Sequence, residues 1–224
     1  MTKTQFKITA VPLATPAELL RVWRKRPYSW SQHSSFDYDK DQWFNSYILG
    51  ARGDATPAME FGKLVGDSFG TDTPMAAVTR YSHMEYAVKT RLGKIPLIGF
   101  IDSYDPVNKY LREYKTSSNA ARWTQKSVDG HGQLTFYCLL LYLAEKVRPE
   151  DVTIHLEYIP VRETMDFSME VAREIVPSVF STKRTTRDVL QFAVEIKKKR
   201  GVMEAYAIKK FEASGLSTGG MKKA

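Results

Sequence analysis

The sequence predicts an α/β protein in which helices flank a central β-sheet, and three observations lead there. Residues 77–94, 96–103, 110–115 and 152–160 either alternate apolar with polar side chains or run β-branched, as strands do. Around them, residues 15–24, 58–69 and the stretch after 181 carry helix-capping residues and a 3.6-residue apolar period. The 224 residues are 43% apolar and show no composition break, enough for one sizeable core. A single domain over residues 1–213 is expected, with a flexible tail over 214–224, where glycine, serine and terminal lysines leave nothing to bury.

From the N-terminus, residues 1–15 read as an extended lead-in, and Thr15-Pro16-Ala17-Glu18 as a capped helix start running to about Arg24. Residues 27–50 are rich in aromatics, among them Tyr28, Trp30, Phe36, Tyr38, Trp43, Phe44 and Tyr47. Trp43/Tyr47 and Phe44/Ile48 fall four apart, so a helix with one face in the core is expected, with stacking on bases as the other use of such rings. Residues 58–69 read as a helix in which Gly62 permits close approach of a neighbour. Residues 77–94 read as a strand with Tyr81, His83, Glu85 and Ala87 on one face and Met84, Tyr86 and Val88 on the other.

The central feature is a hairpin. Residues 104–109, Tyr-Asp-Pro-Val-Asn-Lys, supply turn chemistry between two strand-like runs. A turn centred between Val107 and Asn108 sets Asp102 opposite Glu113 and Phe100 opposite Lys115, so two carboxylates and an ammonium share a face. Opposed carboxylates repel and call for a cation. Hard oxygen ligands on rigid strands suit Mg²⁺ or Mn²⁺, and a nearby ammonium can orient water or neutralise a phosphoryl group.

Asp102, Glu113-Tyr114-Lys115, and then Gln133 and Tyr137 at Q-x-x-x-Y spacing on the following helix resemble the PD-(D/E)XK nuclease superfamily, RecB-like exonuclease type, over residues 28–160. The resemblance implies a restriction-endonuclease-like core, α/β with a central mixed β-sheet flanked by helices. It implies Mg²⁺-dependent (or Mn²⁺-dependent) hydrolysis of DNA phosphodiester bonds. Asp102, Glu113 and the backbone carbonyl of Tyr114 would hold the metal, and Lys115 would assist the attacking water. Gln133 and Tyr137 would position the substrate backbone or brace the lysine. Ser29-Trp30-Ser31 before the aromatic helix is also similar, without the family's usual Cys-Pro pair. The helix Glu60-Phe61-Gly62-Lys63-Leu64-Val65-Gly66 resembles the family's E-x-G-x-x-V-H, but Gly66 stands where many members carry a metal-ligating histidine. Glu60 is the candidate replacement and Asp67 the weaker one; an exposed first-turn acid favoured by the helix dipole is the alternative for Glu60. An exonuclease in DNA recombination, repair or phage and mobile-element DNA processing follows, with DNA as partner and a homo-oligomer or a recombination or repair protein as further ones. The alternative is a nucleic-acid-binding module that has lost its chemistry.

The remaining chain narrows this. One cysteine, Cys138, precludes an intrachain disulfide and cannot supply the four ligands of the iron–sulfur relatives, so no cluster is expected. His33, His83, His131 and His155 have no partners at metal-ligand spacing, so no zinc site is expected. The N-terminus lacks a continuous apolar run, and a soluble cytoplasmic protein is expected. Residues 152–160 and about 170–180 read as further strands. A long helix opens at Ser181–Asp188, with Val189, Phe192, Ile196, Val202, Ala205, Ile208 and Phe211 as its apolar stripe and Gly201 as a bend or break. The net charge of +8 is concentrated after Thr182, with eleven basic residues against four acidic ones. Lys197, Lys198, Lys199 and Arg200 are therefore either nucleic-acid contacts or a solvated helix face.

Overall fold

The computed structural model describes residues 14–51, 56–166 and 168–215, so residues 1–13 of the expected lead-in over 1–15 and most of the expected tail lie outside the described residues. The chain enters through α1 (Pro16–Lys25), whose start is the anticipated capping box: Thr15 and Glu18 each accept from the other's backbone N–H. Then come α2 (Trp30–Tyr38) and α3 (Lys40–Trp43), the latter running into one π-helical turn, Phe44–Ile48. The expected aromatic helix is thus shorter and wider. Trp43, Phe44 and Ile48 are buried, and Trp23 and Trp43 meet nearly at right angles with ring centres 5.8 Å apart, so these rings are mostly core.

After α4 (Pro57–Ser68) the chain builds β1 (His83–Leu92), β2 (Ile95–Asp105) and β3 (Tyr110–Ser117). Next are α5 (Gln125–Asp129), α6 (Gly132–Glu145), β4 (Thr153–Glu163), β5 (Met169–Val171), β6 (Ser178–Thr182) and α7 (Thr186–Ala213). The sheet runs β1-β2-β3-β4, with β6 beside β4 and β5 on the far end of β4. It is mixed because β3 and β4 are parallel, joined through α5 and α6, while every other pair is antiparallel.

Three strand expectations are corrected. The first strand begins at His83, not at residue 77, because the preceding residues are tied elsewhere. Arg80 donates to the carbonyls of Phe69 and Thr71, and the Tyr81 N–H to Ser103 Oγ. Its two faces also do not run straight through. Met84 packs with Val65, Phe69 and Tyr114, whereas Tyr86 and Val88 join the main core, so the strand changes faces at Glu85. Finally, the strand expected over about 170–180 is two short ones. A turn closed by the Ile175 N–H on the Ala172 carbonyl, followed by Pro177, separates them.

The core lies between the sheet and α6, whose Leu134, Phe136, Cys138, Leu139, Leu140 and Leu141 are fully buried. A Cβ on Gly99 of β2 would come within 2.4 Å of Leu140, so only glycine lets the strand lie this close to the helix. α7 packs over α6 and α1 as one unbroken helix through Gly201. Its buried stripe is Val189, Phe192, Ala193, Ile196, Arg200, Met203, Ala207 and Phe211, so the expected Val202 and Ala205 point outward. Arg200 in that stripe corrects its candidacy as a nucleic-acid contact. Its guanidinium is buried 3.6 Å from the centre of the Trp23 ring and donates to Gln32 Oε1 and the Trp23 carbonyl, both at 2.8 Å. Lys199 is likewise engaged, with Nζ 2.6 Å from both His33 Nε2 and Asp37 Oδ2, while Lys197 and Lys198 remain exposed.

Candidate active site

Turn chemistry sets the hairpin that carries the carboxylates. Asp105 Oδ1 accepts from the N–H groups of Val107 and Asn108, and Lys109 takes the left-handed conformation at φ 56°. The resulting pairs, Asp105–Tyr110, Tyr104–Leu111 and Ser103–Arg112, have the register expected for a turn centred between Val107 and Asn108. The ladder then stops. At the next position the Asp102 carboxylate takes the place of a backbone acceptor, with Oδ2 receiving the Tyr114 N–H at 2.8 Å. β3 meanwhile continues alongside β4 through Ser117. The expected oppositions of Asp102 with Glu113 and of Phe100 with Lys115 are therefore not made as strand pairs.

Glu113 and Lys115 project beside Asp102, with Lys115 Nζ 2.5 Å from Glu113 Oε1. From α6, Gln133 Nε2 donates to the same oxygen at 2.7 Å and to the Tyr137 hydroxyl at 2.8 Å. The structure thus joins Asp102, Glu113, Lys115, Gln133 and Tyr137 in one cluster, with Gln133 bracing the glutamate rather than the lysine. α6 can start this close to α2 because its first residue is glycine: a Cβ on Gly132 would lie 2.7 Å from the Trp30 ring.

The electrostatics of the cluster are those of a site that attracts cations. Burial, and then the neighbouring Glu113 charge, push Asp102 well above the usual carboxylate range. Burial alone would lower Lys115, but Glu113 and Asp102 outweigh it and hold the ammonium above the ordinary lysine value. Glu113 is only 1% exposed, and its Oε2 is buried with no hydrogen-bond partner. An unpartnered, buried carboxylate oxygen beside a second carboxylate fits a hard cation, which would satisfy it directly.

These groups line a cavity of about 390 Å³ that also takes in Gly62, Lys63, Gly66 and Asp67 of α4, Glu85 of β1, and Tyr114. Gly66 is open: a Cβ there would touch nothing within 4 Å. Glu60 sits exposed at the first turn of α4 and is not part of the cavity lining, whereas Asp67 is. His131, just before α6, is held neutral, its pKa pushed down to about 4 by burial and by the charges of Lys115, Arg184 and Arg122. Glu85 is the cavity acid that sequence reasoning missed. Its signal was the tight Gly93-Lys94 turn, which fixes the β1–β2 register and sets Glu85 level with Asp102.

Two strand carboxylates, an adjacent lysine and a glutamine from the next helix thus meet on one cavity wall. The chain belongs to the PD-(D/E)XK nuclease superfamily, whose family model matches residues 14–213. No curated protein sequence matches it significantly. Among solved structures, an exonuclease candidate from Eubacterium rectale shares the fold at 9% identity and a TM-score of 0.50, covering 92% of this chain and 87% of that one. A phage-related exonuclease from Haemophilus somnus 129PT aligns at 11% identity over 90% of this chain and 96% of its own, with a TM-score of 0.46. LHK-Exo, solved with dAMP, aligns at 12% identity over 91% and 94%, with a TM-score of 0.40. Members of the superfamily generally use divalent metal ions, and the residues present here fit one. Among the described residues no helix is long and apolar enough to cross a membrane.

Proposed function

We propose that the protein is a Mg²⁺- or Mn²⁺-dependent deoxyribonuclease that removes nucleotides from DNA ends. The observation that carries this reading is the unpartnered, buried Oε2 of Glu113 beside Asp102, with Lys115 at hydrogen-bond distance. Asp102, Glu113 and the Tyr114 carbonyl would hold the cation. A cation so held would draw charge from the phosphoryl group and make water more acidic. The chain's own residues do the rest. Lys115 places a positive charge where the attacking water and the pentacoordinate phosphorus develop negative charge. Gln133 fixes the Glu113 carboxylate, and Tyr137, whose hydroxyl burial keeps protonated, fixes Gln133.

Exonuclease action is supported by a second cavity of about 450 Å³ that shares Gln133 and Tyr137 with the active site. Arg26, Ser29, Trp30, Ser31, Tyr47 and Phe100 help line it, giving charge, hydroxyls and aromatic faces suited to a strand end. By its chemistry such an enzyme serves processes that consume DNA ends, recombination and repair among them. The open space at Gly66 favours a second reading, a binding module without chemistry. One experiment separates these readings: incubation of end-labelled linear DNA and covalently closed circular DNA with Mg²⁺. Loss of the linear substrate as mononucleotides, with the circle intact, supports the proposal. Cutting of the circle replaces it with endonuclease action. Binding without cleavage in Mg²⁺ or Mn²⁺ supports the module.

A further inference from the structure

Glu85 is the feature of the cavity that the family's motifs leave unexplained. β1 and β2 pair in unbroken register from His83–Tyr104 to Leu92–Ile95 except at one rung, Glu85 with Asp102. Glu85 has φ 49°, and the other described non-glycine residues with positive φ, Lys109 and Lys146, sit in a turn and at a helix end. A left-handed glutamate inside a strand is costly unless its surroundings enforce it. Here the consequence is visible: the strand changes faces at Glu85, which puts the Glu85 side chain on the wall of the cavity that holds Asp102 and Glu113. On α4, Gly66 leaves open space between Lys63 and Asp67 of the same lining.

We propose that Glu85 supplies the third carboxylate of the cation site, from the strand wall, in place of a side chain at Gly66. The inference rests on the metal-dependent reading above. Glu113 Oε2, buried and unpartnered, gives the independent sign that the cavity is built for a cation. Among the described residues no three acidic, histidine or cysteine side chains converge closely enough to cage an ion as they stand. Glu85 is exposed, and its side chain is free to turn inward once a divalent charge reverses the sign of the interaction.

The test is Mn²⁺ binding to the full chain, read by the loss of the free-ion electron paramagnetic resonance signal, which needs no turnover. Glu85→Gln should weaken binding by about tenfold or more, the scale on which ligand-supporting groups act. Glu85→Gly should weaken it equally while raising Tm, because glycine relieves the left-handed strain. A histidine in the open space of Gly66→His should restore affinity in the Glu85→Gln background. If Glu85→Gln and Glu85→Gly both bind Mn²⁺ as the wild type does while Asp102→Asn does not, Glu85 is only a strained rim residue and the proposal fails. If Asp102→Asn also binds normally, it is the metal-site reading that fails.

Discussion

Glu113 is held on three sides and left bare on one. Lys115 and Gln133 share its Oε1, β4 pairs with its backbone, and Oε2 is buried without a partner. Asp102 differs, for its Oδ2 caps the broken ladder through the Tyr114 N–H. The two carboxylates should therefore respond differently to removal. Asp102→Asn keeps an acceptor for that N–H and removes like-charge repulsion, so Tm should hold or rise. Glu113→Ala strands the buried amide of Gln133 and the ammonium of Lys115, and should cost about 1–3 kcal/mol. Chemical denaturation of both variants checks this, and equal stabilities would refute the pairing described. That Asp102, Glu113 and Lys115 come together was legible from strand alternation and turn position, and that Gln133 and Tyr137 join them from the Q-x-x-x-Y spacing that resembles the family. Glu85 was not, since a left-handed residue inside a strand breaks the alternation that a sequence reading relies on, and Glu60, in the first turn of α4, lies off the cavity lining.

At the scale of elements, α7 shows how a charge run misleads. Lys197-Lys198-Lys199-Arg200 looks like one basic patch, but a period of 3.6 residues sends each side chain in a different direction. Arg200 continues the buried line of Ile196, Met203 and Ala207, and a reading that shifted the stripe to Val202 and Ala205 had to step around it. Burial pushes its pKa down to about 10, so it stays charged at neutral pH, and its charge is solvated by carbonyls and the Trp23 ring. Arg200→Ala should cost about 2–4 kcal/mol by stranding those acceptors, read as a lower denaturation midpoint. Lys197→Ala with Lys198→Ala should leave stability unchanged and reduce the slope of log K against log salt for duplex DNA by about two at most. A larger loss of slope would place more of α7 on the substrate.

The same helix holds α2 through His33, whose Nε2 faces the Lys199 ammonium and whose Nδ1 meets the Tyr28 hydroxyl. Burial, then the Lys199 charge, pushes the His33 pKa down to about 4. With the folded value below the unfolded one near 6.5, folding favours the neutral ring. The stability it contributes is complete above about pH 6.5 and is lost as pH falls towards 4. Melting at pH 7 and pH 5 should thus show a smaller drop for His33→Gln than for the wild type; equal drops would free His33 from this role.

In the molecule as a whole, the mixed sheet does one thing for the site: β2 stays with β1 while β3 stays with β4, and the ladder between β2 and β3 ends at the carboxylates. α6 fills the opening and supplies Gln133 and Tyr137. The hairpin register and the order of elements were readable in advance because local turn chemistry decides them. The splitting of the late strand and the change of faces at Glu85 were not, because they depend on tertiary contacts made by α4 and by the loop at Arg80. The central claim is that the Asp102–Glu113 cluster cleaves DNA with a divalent cation. It is tested most directly by nucleotide release from end-labelled linear DNA, for the wild type and for Asp102→Asn at matched Tm, with Mg²⁺ and with chelator. The account predicts release by the wild type only when Mg²⁺ is present, and a fall of about a thousandfold or more in Asp102→Asn, equivalent to several kcal/mol of transition-state stabilisation. Release in chelator, or at the wild-type rate from Asp102→Asn, would contradict it.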